Sequence, residues 1–183
     1  MPRSPRTALG EGPIHITARG NRRQHVFLTQ GDRRFFLALL DRVTNRLDWR
    51  VYGYVLLENH YHLLVEAALP TLSRGMQRLN GNYAQSFNAV HQLDGHVFQG
   101  RFYAGRVETQ GHLLVLTRYI ALNPVRAGLC RTPSEWPWGS YQALLGHRRA
   151  EPFLNADAVL NLFSPRRGDA RRILRRFVED EPT

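Results

Sequence analysis

Lysine is absent from this 183-residue chain, and cysteine occurs once, at Cys130. A lone thiol excludes an intrachain disulfide framework and a zinc site assembled from several cysteines, and it suits a reducing compartment. No apolar run approaches the roughly 18 to 20 residues needed to span a bilayer, and Met1 to Gly10 holds no apolar stretch of the kind a secretory signal requires. Internal repeats and low-complexity tracts are missing as well. The expected setting is the cytoplasm, with no membrane partner.

What is present is one-sided charge. All 25 basic residues are arginine, against 15 acidic ones, for a formal net charge of +10. Such an excess points toward polyanions, nucleic acid first among them, and toward a nucleoid-associated location. The choice of arginine is partly compositional, but its planar fork also grips phosphates bidentately and stacks on bases. With 43% hydrophobic residues, the chain can build one domain with a real core and a short appendage.

Residues 1–12 hold Arg3 and Arg6 with little to bury, and read as a basic N-terminal arm. Ile14 to Ala18 reads as a first strand, ending in a turn at Arg19-Gly20-Asn21. Phe36, Leu39, Leu40, Val43 and Leu47 then recur at helical spacing over residues 33–48. Trp49 to Leu57 and His60 to Glu66 read as two strands, and their short Glu58-Asn59 link requires antiparallel pairing. Residues 71–90 carry Leu72, Met76, Leu79, Tyr83, Phe87 and Val90 on one stripe, with Arg74, Arg78, Asn82 and Gln85 on the polar face. Phe102 to Glu108 is a fourth strand, followed by a helix from about Gly111.

The order β-α-β-β-α-β is that of a ferredoxin-like plait, an α+β fold with an antiparallel sheet and packed helices. Residues 13–130 form the expected principal domain. Residues 131–183 read as an aromatic and arginine-rich C-terminal helical extension: a turn-rich segment from Pro133 to Gly139, a short helix near Tyr141 to Leu145, and a tail bearing Arg166, Arg167, Arg171, Arg172, Arg175 and Arg176.

The most informative stretch is Leu56-Leu57-Glu58-Asn59-His60-Tyr61-His62-Leu63-Leu64-Val65-Glu66. In a strand, alternate side chains share a face, so His60 and His62 emerge together about 7 Å apart. Leu64 and Glu66 share their side. Tyr61, Leu63 and Val65 supply an apolar side that forms a core without them. Two imidazoles so placed can chelate a metal, although a histidine pair on an ordinary strand is more often packed or exposed. Further along, Tyr119 and Asn123 stand at an i, i+4 spacing, neighbours on one helical face. Together these features suggest metal-assisted attack on a phosphodiester. Taken alone, Tyr119 reads as a core tyrosine with a tethered hydroxyl. Asn123 precedes Pro124 and reads equally as a helix cap. Glu66 is a reserve metal contact or an exposed carboxylate.

Four ordered motifs carry a resemblance: Arg19-Gly20-Asn21; Asn59-His60-Tyr61-His62-Leu63-Leu64-Val65; His96-Val97-Phe98-Gln99-Gly100-Arg101-Phe102; and Tyr119-Ile120 through Asn123-Pro124-Val125-Arg126-Ala127-Gly128. Over about residues 13–145 the chain resembles the IS200-like, HUH-type single-tyrosine (Y1) transposases, and most closely the REP-associated tyrosine transposases. Tyr61 is bulkier than the aliphatic residue often found between the two histidines of that family. The resemblance implies an HUH core that nicks and transfers single-stranded DNA, commonly near a hairpin. By carry-over, His60, His62 and Asn123 bind a divalent metal and Tyr119 is the nucleophile. A donor set of histidine and carboxamide, with no cysteine nearby, argues for Mg²⁺ or Mn²⁺ over structural zinc. Tyrosine, with an ordinary pKa near 10, is a weak nucleophile at neutral pH until a base or cation stabilises its phenolate. A tyrosyl phosphodiester can be reversed by another 3′-hydroxyl without ATP, which suits cutting and joining.

Candidate DNA contacts are Arg19, Asn21, Arg74, Arg78, Phe98, Arg101, Arg106, Arg126, Arg171 and Arg172. Phe98, Arg101, Phe102, Tyr103 and Arg106 interleave rings with cations, as binding to single strands requires, while some of those rings also suit a core. The arginine-rich tail reads as a DNA-binding helix or as a solvated face closed by Glu179, Asp180 and Glu181. Two rivals stay open: a ferredoxin-like nucleic-acid-binding protein that cuts nothing, and a metal-dependent hydrolase with no covalent step. Monomer and homodimer are both open, since insertion-sequence relatives can exchange the tyrosine helix between subunits.

Overall fold

The computed structural model describes residues 12–180, so the expected basic arm, Gly12 apart, lies outside the described residues. Strands β1 (Pro13–Arg19), β2 (Arg50–Leu56), β3 (His60–Glu66) and β4 (Tyr103–Arg106) form one sheet in the order β2-β3-β1-β4. All its pairings are antiparallel. Helix α1 (Gln30–Leu47) joins β1 to β2, and α2 (Leu69–His91) joins β3 to β4. This is the ferredoxin-like order that the alternation of periods predicts.

The helices start and stop for local reasons. Thr29 and Asp32 close a reciprocal capping box at the head of α1, and Asp48 and Gln92 end α1 and α2 in the left-handed conformation. Inside α2, Gly75 lets Trp49 lie against the helix: a Cβ there would stand 2.3 Å from the indole ring. The α2 stripe buries Leu72, Met76, Leu79, Tyr83 and Phe87, but its expected last member, Val90, is 68% exposed. In the final turn it is His91, against Phe87 and Asp32, that faces the protein, and Val90 points away from it.

Burial alternates along the sheet as the strand period requires. Ile14, Ile16 and Ala18 of β1 and Tyr61, Leu63 and Val65 of β3 enter the core shared with α1 and α2. Tyr61 packs on Phe36 and donates its hydroxyl to Asn80 Oδ1 at 2.6 Å. The opposite face is also covered. Helix α3 (Gln110–Arg126) crosses it and packs Leu116 and Ile120 on Val55, Leu57, Leu64 and Val107.

Residues 133–180 cover the outer edge of β2. Helices α4 (Tyr141–Leu145), α5 (Ala156–Leu160) and α6 (Arg167–Glu179) contribute Leu144, Val159, Leu160, Ala170, Leu174 and Val178 to the main core. Leu154 bridges to Val51 and Gly139 to Val55, which closes an edge that would otherwise offer free backbone groups. Arg148 ties the segment down. Its guanidinium donates to the Tyr54 hydroxyl and the Gly139 carbonyl, both at 2.9 Å, and pairs with Glu151. Arg148→Met is expected to leave the half-buried Glu151 unpaired and to cost about 3 kcal/mol, a fall of roughly 6 to 12 °C in thermal midpoint for a chain of this size. Circular dichroism melting would measure it. Among the described residues no helix is long and apolar enough to cross a membrane.

Candidate active site

The face under α3 is where the chemistry-bearing side chains meet. His60 and His62 lie with ring centroids 5.1 Å apart, one half-buried and the other 4% exposed. From α3, Tyr119 sets its ring edge-on against His62 at 5.3 Å and 85°. Asn123, one turn on and 7% exposed, comes within hydrogen-bond reach of His60. His60, His62, Tyr119 and Asn123 are thus brought together within one chain. Asn123 does not cap a new helix: α3 runs on through Pro124 to Arg126, and the Asn123 carbonyl accepts from Ala127. Pro124 forfeits only its own N–H, the one that would have reached the Ile120 carbonyl.

Five of the seven tyrosines tether their hydroxyls to a side chain or carbonyl: Tyr52, Tyr54, Tyr61, Tyr83 and Tyr141. Tyr119 is different. Among the described residues it is held by ring contacts, to His62 and to His15 at 6.1 Å, with the Arg126 guanidinium 5.8 Å from its centre. A half-buried phenol without a tether does not match the core-tyrosine reading.

The imidazoles are poised as neutral donors. Burial first, then the Arg19 charge, brings His60 down to about 4, against the hydrogen bond with Asn123 that pulls it up. His62 falls to about 2, through burial and then the charges of His15, His60 and Arg19. Deprotonated rings are what a cation needs. Among the described residues His62 Nε2 is buried without a hydrogen-bond partner, a ring nitrogen left over for a ligand, and the Asn123 carboxamide can offer its Oδ1 beside it. The residues therefore fit a divalent cation. Among the described residues no three His, Cys, Asp or Glu side chains group into a cation site, so such an ion would complete its shell with water or phosphate oxygens, as Mg²⁺ prefers. Glu66 lies four positions along the strand, roughly 13 Å away, hydrogen-bonded by Tyr52 and paired with Arg50. It is not a metal contact here.

A basic loop borders the site. Arg19 pairs across the sheet with His60, and the chain then turns through Asn21, Arg22 and Arg23, the last two in the left-handed region at φ 51° and 62°. Gly20 permits this turn, since a Cβ there would meet the Gln24 carbonyl oxygen at 2.1 Å. Asn59 links loop and site: its Nδ2 donates to the Arg23 carbonyl at 3.3 Å, and its Oδ1 accepts from His60 Nδ1 at 2.6 Å. The segment carrying Arg101 is stitched to the same loop, Asn21 to Val97 and Gln99 to Arg19.

Other candidates sit elsewhere. Phe98 is corrected from base-stacking ring to core residue: it is 9% exposed and packs on Tyr61 and Tyr83. Arg171 is half-buried against the neighbouring helix: its Nε donates to the Leu144 carbonyl and its guanidinium lies over Gly146. Arg172 is exposed and paired with Asp169. Arg74 and Arg78 ride on α2, below the sheet from the histidines, and Arg106 stands opposite Ile14, at the far end of β1 from His60. Sequence reasoning missed His15, Asn59, Arg22 and Arg23. His15 and Thr17 alternate with Ile14, Ile16 and Ala18, which puts them on the histidine face, but only once the β1–β3 pairing is known.

The IS200-like transposase family matches residues 11–123. Among solved structures, a REP-associated tyrosine transposase bound to a REP hairpin is 20% identical, with a TM-score of 0.66 over 84% of this chain and 90% of that one. A candidate transposase from Deinococcus radiodurans R1 is 13% identical, with a TM-score of 0.43 over 62% of this chain and 92% of that one. No curated protein matches. The first of these structures shares the fold described above.

Proposed function

This chain belongs to the IS200-like transposase family, and on that premise we propose that it cuts and rejoins single-stranded DNA at hairpin-forming sequences, with Tyr119 as the nucleophile. The observation that carries the reading is the untethered Tyr119 ring packed edge-on against His62. A fold shared with a protein seen on a REP hairpin supports the choice of substrate. His60, His62 and Asn123 would hold Mg²⁺ or Mn²⁺, which when bound withdraws charge from the scissile phosphate and favours a phenolate.

In the proposed step the Tyr119 phenol gives up its proton, its oxygen bonds to phosphorus, and the bond from phosphorus to the 3′-oxygen breaks. The 3′-oxygen takes up a proton. A 5′-phosphotyrosine remains, and a second 3′-hydroxyl reverses the exchange with no net change in bond type. Asn59 and His15 hold the imidazoles; Arg19, Arg22 and Arg23 neutralise phosphates beside His60; Arg126 faces the phenol. Tyr103, 54% exposed on the same sheet face, has no hydroxyl tether among the described residues, like Tyr119, and offers a base a stacking surface. Work on the cell's DNA would place the protein in the cytoplasm, at the nucleoid, and His62 and Tyr119 meeting within one chain favours action in cis.

Incubation with a hairpin-flanked oligonucleotide and Mn²⁺ is expected to give a denaturant-resistant protein–DNA species, abolished by chelator. DNA binding unaffected by chelator, with no adduct in any metal, would instead favour the non-cutting rival.

A further inference from the structure

His15 lies outside every motif that carries the resemblance, yet it touches both the histidine and the tyrosine of the site. Its Nε2 is 2.9 Å from His62 Nδ1. The ring planes differ by 16° and the centroids are 5.1 Å apart. Nitrogens this close are nearer than stacked rings approach, so the imidazoles meet edge to edge in nearly one plane, the geometry of a ring N–H donating along a ring lone pair. The His15 ring also stands across Tyr119, with centroids 6.1 Å apart and planes at 80°.

We propose that His15 is a positioning residue for the cation site, accepting the Nδ1–H of His62 and thereby leaving His62 Nε2 as the metal-donor atom. The choice of tautomer follows from what lies on the other side of the ring. Were His15 the donor, neutral His62 would carry its proton on Nε2, which is buried without an acceptor. That would leave an unsatisfied N–H and no lone pair for a cation. His60 uses the same arrangement: a carboxamide oxygen only accepts, so the 2.6 Å contact with Asn59 Oδ1 puts the proton on His60 Nδ1 and the lone pair on Nε2. Ligating histidines commonly donate their second N–H to such a partner, which fixes ring and tautomer together. His15 is not itself a ligand, because the nitrogen it turns to the site is spent on His62.

The inference rests on the cation site proposed above, so the test separates the two. Mn²⁺ binding to the full chain without DNA, followed by the loss of free-ion electron paramagnetic resonance signal, would be compared for wild type, His62→Ala, His15→Leu and His15→Gln. His15→Leu is expected to weaken binding by about 10- to 100-fold, and His15→Gln, whose Oε1 can accept in the same place, to stay close to wild type. With Mg²⁺ bound, two-bond ¹⁵N–¹H correlations in wild type are expected to show both His62 and His15 protonated at Nδ1, which decides the matter even if His15→Leu folds poorly. Wild-type affinity in His15→Leu, equal losses in the Leu and Gln variants, or a proton on His62 Nε2 would overturn the role of His15 alone. Undiminished binding in His62→Ala would overturn the cation site and the role of His15 with it.

Discussion

Tyr119→Phe is expected to bring covalent adduct to background, a loss on the order of 10⁴-fold or more, as when a nucleophile is removed from a site whose parts act as a unit. The substitution is clean for structural reasons. The hydroxyl has no tether among the described residues, so phenylalanine keeps the ring contacts with His62 and His15 and loses no internal hydrogen bond. Thermal stability should stay within about 0.5 kcal/mol of wild type. A core tyrosine would behave the other way: Tyr61→Phe, which strands Asn80 beneath the sheet, should cost about 1 kcal/mol or more without touching the nucleophile. Denaturing gels with a hairpin-flanked oligonucleotide, beside melting curves, separate the two cases. A metal-dependent hydrolase would keep cutting after Tyr119→Phe.

His62→Ala is expected to abolish both adduct and Mn²⁺ binding, with affinity falling by more than the roughly 10- to 100-fold that a partner behind a ligand is worth. Little can stand in for it: His62 is 4% exposed, Glu66 is engaged by Tyr52 and Arg50, and among the described residues His15, which sits behind the His62 ring, is the imidazole that the substitution would release. Binding of the oligonucleotide in the presence of chelator should survive, since the arginines of the 19–23 loop are held by backbone bonds from Gly20 to Asn59 and Asn21 to Val97. Isothermal titration with Mn²⁺ and a gel shift in chelator measure the two halves.

The core of the fold was legible because its signals are local. Helical spacing at Phe36 to Leu47 gives way to alternation at His60 to Glu66, and a two-residue link between strands admits only antiparallel pairing. Likewise, His60 with His62 and Tyr119 with Asn123 each share a face by elementary periodicity. What could not be read depends on partners far along the chain. Phe98, three residues before Arg101, looks like a stacking surface until Tyr61 and Tyr83 pack on it. Arg171 looks like part of a basic helix until Gly146 appears beneath it. The C-terminal segment reads as an appendage, yet Arg148 reaches Tyr54, and Leu154 the edge of β2. His15 is a single histidine in an apolar strand, and only the register of β1 against β3 brings it to His62. Asn-Pro signals a helix start by local rule, but burial of Asn123 and Pro124 in the last turns of α3 overrides it.

The most direct measurement is mass spectrometry of the protease-digested covalent species formed with a hairpin-flanked oligonucleotide. The expected result is a nucleotide linked through its 5′-phosphate to the peptide containing Tyr119, released together with a fragment ending in a free 3′-hydroxyl. A phosphate carried by any other side chain, or cleaved DNA with no protein attached at any stage, would contradict the account.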